Sequence, residues 1–373
     1  MFPQVLIDSN YIKEIEDYLS YSDKGHKVDI ALKINKLNQF IFSDQSNLKF
    51  DRTDKQIGTL LNKLMAVRPG HKLLKYLARS SSPLKIEWGE TCLFRQANQT
   101  IYLPRHYQTS NVFINEKGEK ILRNNPLEML FIHEAIHALH WTMGKLLLDK
   151  NEGLIAEELD NLEEQKTILG IASLEALLVE RPEIDYLCEN TFLIAFGLSV
   201  LRINHRGLVF KGDEKPSFLD LVYVGAMGDL ARALKENPSL INREGVVCTA
   251  IQQVRGALSQ KNILPLTAAV FSGREEVVHF LLGQGANPYL RDDLGGLLHA
   301  AVQGKIPNRA IVHLLMHKYQ MDIDKRDHLG KTPLMHLIET IGREEAVNFS
   351  YYNKRQKEQL FVLLKELKNS GSD

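Results

Sequence analysis

Cysteine is scarce in this chain. Cys92, Cys188 and Cys248 lie far apart in 373 residues and form no CxxC pair, which argues against a disulfide scaffold and fits a reducing compartment. Nor is there an excess of charge of either sign: 46 basic and 46 acidic side chains cancel. Without a basic field to hold a phosphate backbone, nucleic acid is not an expected partner. No stretch approaches 18 uncharged apolar residues, so no transmembrane segment is expected. The opening MFPQVLIDSNYIKEIEDYLS carries acids early and no basic region before an apolar core, so a Sec signal peptide is not expected either. A Gly-rich phosphate loop is also missing, which removes the commonest nucleotide signature. What remains is ordinary globular composition, 44% hydrophobic and 25% charged. At roughly 100–200 residues per domain, the length suggests two or three domains.

The first hundred residues read as mixed structure. Tyr11–Ser20 and Asp54–Ala66 space their apolar residues as helices do, with Ile57, Leu60, Leu61 and Leu64 on one side of the second. Lys85–Trp88 and Thr91–Phe94 are strand-like. The turn Gln96–Gln99 then leads into Thr100–Leu103 as a hairpin return, and His106–Asn125 looks looser. From Leu127 a strong helix begins, with Asn124 or Asn125 as cap, Pro126 in the first turn and Gly144 near the end. Its apolar residues wrap most of the circumference, which is the pattern of a buried helix. Further helices are expected at Leu154–Leu169, Ser173–Leu178 and Cys188–Arg202, and the polar stretch Gly207–Pro216 is a domain boundary.

That buried helix carries His133-Glu134-Ala135-Ile136-His137, an H-E-x-x-H pattern. Positions i and i+4 lie one above the other, so both imidazoles can reach one ion. Glu134, rotated about 100° from His133, stands near enough to act as general base on a metal-held water. The alternative is a histidine pair satisfied within the core. Two histidines and a glutamate on a buried helix need partners, and a shared zinc ion supplies one. A protease site needs a third protein ligand. His140 stands where a longer H-E-x-x-H-x-x-G-x-x-H motif needs its glycine, and Lys145 and Leu146 follow rather than His. The acidic helix Glu157–Thr167 offers several carboxylates, and Glu157, 20 residues after His137, is one of them.

The C-terminal part repeats itself. Leu266 and Leu298 occupy equivalent slots 32 residues apart, and Lys331-Thr332-Pro333-Leu334-Met335-His336 opens another unit. Leu219–Asn242 reads as a degenerate first unit, Val247–Lys261 is longer than a usual connection, and Gly295-Gly296 falls at a hairpin turn. Residues 217–370 resemble the ankyrin family, most closely in Leu281–Asn287 and Thr332-Pro333-Leu334. The resemblance implies about four stacked helix pairs presenting a protein-binding surface.

A second resemblance covers roughly residues 85–210. Glu163-Glu164-Gln165-Lys166-Thr167 is similar to the E-E-x-x-T segment of clostridial neurotoxin light chains and of NleD-like bacterial effector zinc metallopeptidases. LEMLFIHEAIHALHWTMG resembles the effectors' H-E-L-I-H-A-L-H run, and Glu189-Asn190 with Gly197–Arg202 resembles their T-E-N … G-L-P-x-R segment. The resemblance implies zinc held by His133, His137 and Glu164, with Glu163 and then Glu157 as rival third ligands. It further implies Glu134 as base, Glu189 orienting a ligating imidazole, and Arg202 stabilising the oxyanion. Cys188 stands for the relatives' Thr, Ser199 for a Pro, and His205 for a Tyr that would assist Arg202. The expectation is therefore an α+β zincin-like metalloprotease followed by an all-α ankyrin solenoid. Residues 1–84 would be a mostly helical part of the protease, 85–212 its core and 213–373 the repeats. Such a chain looks like a bacterial effector, secreted without a Sec signal, that cleaves a host protein recruited by its repeats in the host cytoplasm. The alternative is an ankyrin scaffold with a structural or vestigial zinc site.

Overall fold

The structure, a computed structural model, describes residues 37–105, 107–147, 161–170, 187–205, 208–211, 215–247, 261–304, 308–346 and 354–370. The expected helices at Tyr11–Ser20 and Ser173–Leu178, the first part of Leu154–Leu169 with Glu157, and most of Val247–Lys261 lie outside them. The chain separates into two compact units, one formed by Met1–Gly118 with Arg123–Gly207 and one by Glu119–Leu122 with Leu208–Asp373.

The first unit mixes helix and sheet. Asp54 caps α1 (Lys55–Met65) by accepting the backbone N–H groups of Gln56 and Ile57, and α2 (Arg68–Ala78) follows with Pro in its first turn. Both bury an apolar stripe, including Ile57, Leu61 and Leu64 on α1 and Leu73, Leu74 and Leu77 on α2. One sheet has the order β1-β2-β4-β3, with β1 at Leu48–Lys49, β2 at Leu84–Gly89, β3 at Leu93–Arg95 and β4 at Thr100–Pro104. β1, β2 and β4 run parallel, whereas β3 returns antiparallel to β4 and forms the edge. The turn between β3 and β4 closes on Gln99 in the left-handed region, φ 53°.

Two readings of the sequence are corrected. His106–Asn125 is not loose: it forms β5 (Tyr107–Asn115) and β6 (Lys120–Asn124) around Gly118, whose φ of 74° a side chain would resist. The helix expected over Cys188–Arg202 stops early. α5 spans Glu189–Ala195, Gly197 turns the chain at φ 72°, and Val200–Arg202 becomes β7, antiparallel to β5 with Phe113 opposite Arg202.

α3 (Leu127–Thr142) is the buried helix. Every residue from Met129 to His140 is shielded from solvent, and Pro126 takes the cap position that Asn124 or Asn125 was expected to fill. α4 (Leu162–Leu169) packs against it, capped by Asn161 and ended by Gly170 at φ 74°.

The second unit stacks helix pairs: α6 (Phe218–Val224) with α7 (Met227–Glu236), α8 (Pro265–Phe271) with α9 (Glu275–Gly283), α10 (Leu297–Gln303) with α11 (Arg309–His313), and α12 (Pro333–Ala346) with α13 (Lys354–Ser370). The first helices of successive pairs pack in sequence, α6 on α8, α8 on α10 and α10 on α12. They bury Leu219, Val222, Leu266, Ala269, Leu298 and Ala301 between neighbours. Each apolar face is thus covered by the next pair, the economy of a solenoid. Among the described residues no helix is long and apolar enough to cross a membrane.

Candidate metal centre

Three helices, an edge strand and a short strand bring the charged residues of the first unit together. His133 and His137, one turn apart on α3, direct their Nε2 atoms to within 3.1 Å of each other. Glu164 on α4 places Oε2 3.3 Å from each of those nitrogens, and His205, just past β7, brings its Nε2 to 3.4 Å from the same oxygen. His133, Glu164 and His205 form a group whose donor atoms all lie within 4.8 Å of one another.

The other ring nitrogens face carboxylates. Glu189, the first residue of α5, binds His133 Nδ1 at 2.5 Å, and Glu163 binds His137 Nδ1 at 2.9 Å. Glu163 Oε1 also takes His140 Nδ1 at 2.6 Å, and its Oε2 accepts the backbone N–H of Leu147 at 2.9 Å. Holding one nitrogen against a carboxylate fixes ring and tautomer and leaves the second nitrogen's lone pair for a cation, the arrangement usual around metal-binding histidines. The adjacent carboxylates Glu163 and Glu164 therefore do different things. Glu164 faces the point where the Nε2 atoms converge, and Glu163 stands behind the rings.

The electrostatics favour positive charge at that point. Burial alone would push the His133 imidazole down, but the Glu189 and Glu164 carboxylates outweigh it and raise it to about 9. His137 is raised in the same way, burial being outweighed by Glu164 and Glu163. Burial opposes ionisation of Glu163, yet hydrogen bonds from His137 and His140 hold it at about 2. Glu164 is held well below the ordinary range, His205, His137 and His133 together outweighing its burial. Buried Glu164 Oε2 makes no hydrogen bond of normal geometry. A buried carboxylate oxygen ringed by imidazole nitrogens can be satisfied by protons on those rings or by a cation shared with them. Three imidazoles and a carboxylate are also donors that suit zinc.

Glu134 lies beside this cluster without joining it. Its Oε2 accepts the backbone N–H of Phe94 on edge strand β3 at 2.6 Å. Burial first, then the charges of Glu134 and Glu189, raise the Cys92 thiol well above the usual value, and Cys92 Sγ lies 3.5 Å from the Leu130 carbonyl.

Arg202 is placed differently from the oxyanion role that the resemblance implies. Buried on β7, it sends Nη1 to both oxygens of Glu189 at 2.7 Å, Nε to the Asn204 carbonyl at 2.7 Å, and Nη2 to the His205 carbonyl. Its guanidinium is committed to holding Glu189 and the chain around His205. Three asparagines that the sequence did not single out for such roles complete the frame. Asn190 clamps the Arg202 main chain through both its amide atoms, at 2.7 and 3.1 Å. Asn111 donates to the His205 carbonyl at 2.9 Å, and Asn204 accepts the Val112 N–H at 3.0 Å. Asn190 was visible as the companion of Glu189, whereas Asn111 and Asn204 carried no signal of their own.

In the second unit, Asp327 binds His336 Nε2 at 2.7 Å and accepts the backbone N–H groups of Leu329 and Lys331 at 2.9 Å, pinning the turn that opens α12. His299, one pair earlier, bonds the Lys331 carbonyl at 3.1 Å. Residues 266–352 match the family described as ankyrin repeats (3 copies).

The C-terminal part of the chain carries ankyrin repeats. Such repeats bind proteins through their exposed faces, so a protein partner follows from them. The earlier pair, α6 with α7, and the last helix, α13, lie outside the matched residues. No curated protein matches the chain.

Proposed function

We propose that this chain is a zinc-dependent endopeptidase whose ankyrin repeats recruit the protein it cleaves. The observation that carries the reading is the convergence of His133 and His137 Nε2 on Glu164 Oε2, each imidazole held from behind by its own carboxylate. His133, His137 and Glu164 would hold the metal in a zincin-like unit. Zinc, when bound, supplies Lewis acidity and lowers the pKa of water enough for hydrolysis near neutral pH. Glu134 takes the proton of the attacking water on its carboxylate and returns it to the departing amine. Edge strand β3, which offers the Phe94 N–H to Glu134, is where an extended substrate segment would add to the sheet. The resemblance to effector metallopeptidases extends the reading to a host protein as substrate, met in the host cytoplasm.

Metal analysis and one substitution test it. The purified chain should hold about one zinc, and Glu134→Gln should keep that zinc while losing roughly 10²–10⁴-fold in peptide hydrolysis. A metal-free chain, or a Glu134→Gln variant as active as the parent, refutes it. The same variant, used as bait in host lysate, should retain the substrate. One observation favours a second reading, a structural zinc in an ankyrin scaffold: four donor side chains rather than three surround the point of convergence.

A further inference from the structure

That fourth donor is His205. Its Nε2 lies 3.4 Å from Glu164 Oε2, almost the same distance as the Nε2 atoms of His133 and His137. Three imidazole nitrogens thus lie at nearly equal distances from one carboxylate oxygen, and His205 joins His133 and Glu164 in the group whose donor atoms all lie within 4.8 Å of one another. The His205 ring is nearly parallel to that of His133, with centroids 5.5 Å apart and planes 10° from each other. Two parallel rings can aim their Nε2 lone pairs at a common point from neighbouring positions, which a residue in a simple linker has no reason to do.

Its support is equally specific. The His205 carbonyl receives the Asn111 amide at 2.9 Å and the Arg202 guanidinium. The same guanidinium holds Glu189, which fixes the His133 ring through Nδ1. One buried arginine therefore sets the position of two imidazoles at once, His133 through a carboxylate and His205 through its main chain.

We infer that His205 is a fourth protein ligand of the metal, so that the resting centre is closed by three histidines and one glutamate, and that it gives way when a substrate group arrives. The inference rests on the zinc reading above. Zinc in proteins favours four ligands, and a catalytic centre must keep one position open. Among the four, His205 is the donor suited to leave. Its side chain is 25% exposed, against 10–11% for His133, His137 and Glu164. With its carbonyl tied to Asn111 and Arg202, the ring can turn outward about Cα–Cβ while the main chain stays in place. The resting enzyme is then latent, and a peptide seated along β3 competes with a side chain for the open position.

X-ray absorption on the zinc-loaded full chain counts imidazoles without any mutation. Three are expected at rest, and two in the presence of saturating acetohydroxamate, which takes the position His205 leaves. A chelator competition then compares variants. His205→Ala and His205→Asn should each weaken zinc binding at least about tenfold, the loss caused even by removing partners that only orient a ligand, with far-UV circular dichroism unchanged. If the parent binds no zinc, the metalloprotease reading and this inference fall together. If it binds zinc through two imidazoles and both variants hold it as tightly as the parent, only the inference falls. A count that stays at three with acetohydroxamate overturns the displacement and identifies a structural centre.

Discussion

Replacing Glu189 by Gln tests the frame behind the candidate metal centre without touching any atom that faces the cation. The Glu189 side chain is 1% exposed and that of Arg202 is 6% exposed, and both carboxylate oxygens receive Nη1 at 2.7 Å. Glu189→Gln leaves the guanidinium buried with no counter-charge, and breaking such a pair from one side costs about 3–5 kcal/mol. At about 2–4 °C per kcal/mol for a unit of this size, the midpoint should fall by roughly 10 °C. The assay has a built-in reporter: the two tryptophans of the chain, Trp88 and Trp141, both lie in the first unit, so their fluorescence follows that unit and not the repeats. Adding Arg202→Met removes the stranded charge but also the donors to the Asn204 and His205 carbonyls, so the double variant should recover only part of the loss. In the single variant, zinc binding should weaken about 10–100-fold, because His133 Nδ1 loses the carboxylate that orients the ring. A single variant within about 0.5 kcal/mol of the parent, or a double variant no more stable than the single, would refute the argument.

Two further outcomes follow for the repeats. The Asp327 carboxyl, whose burial is outweighed by the bond to His336 and two backbone N–H groups, sits at about 2, below the ordinary 3.8. Its contribution of about 2 kcal/mol is complete above pH 4 and lost as pH falls from 4 to 2. Asp327→Asn should remove that part of the acid dependence from the circular-dichroism melt of the repeats while leaving the tryptophan transition unmoved; an unchanged acid dependence would contradict it. Tyr289, Leu329 and Ile338 stand 67%, 61% and 53% exposed on the repeats. If these exposed side chains recruit the substrate, changing the three to Ala should reduce cleavage of the full protein at least about tenfold and leave a short peptide's hydrolysis unchanged. Equal losses on both substrates would show that they do not recruit.

What the sequence revealed depended on how local each signal was. α3 was readable because its apolar run and its histidines lie on one continuous helix, and the repeats were readable because their period recurs. β5 was hidden because Gln108, Ser110 and Asn111 break its apolar alternation. Ser110 and Asn111 are buried all the same, satisfied by hydrogen bonds to Asn124, Asn125, Asn204 and His205. β7 was mistaken for helix because Val200 and Leu201 continue the apolar spacing of α5, whereas Gly197 and the pairing with β5 decide otherwise. In each case the missing information was a partner distant in sequence.

The pair Glu163-Glu164 carries that lesson into the chemistry. Neighbours on a helix point about 100° apart, so two adjacent carboxylates cannot both face one ion, and sequence alone cannot say which does. The choice is made by α3, whose His137 presents Nδ1 to one side and Nε2 to the other. Glu163 meets Nδ1 together with His140, and Glu164 meets Nε2 together with His133 and His205. The two glutamates are not interchangeable, and each is defined by the nitrogen it faces. Swapping their charges one at a time should separate them: Glu164→Gln removes a donor from the centre itself, whereas Glu163→Gln loosens the rings of His137 and His140 and the main chain at Leu147. If the cluster holds a metal as proposed, its outer carboxylates matter beside its ligands, which makes the doubled acid, and not H-E-x-x-H alone, the informative part of the sequence.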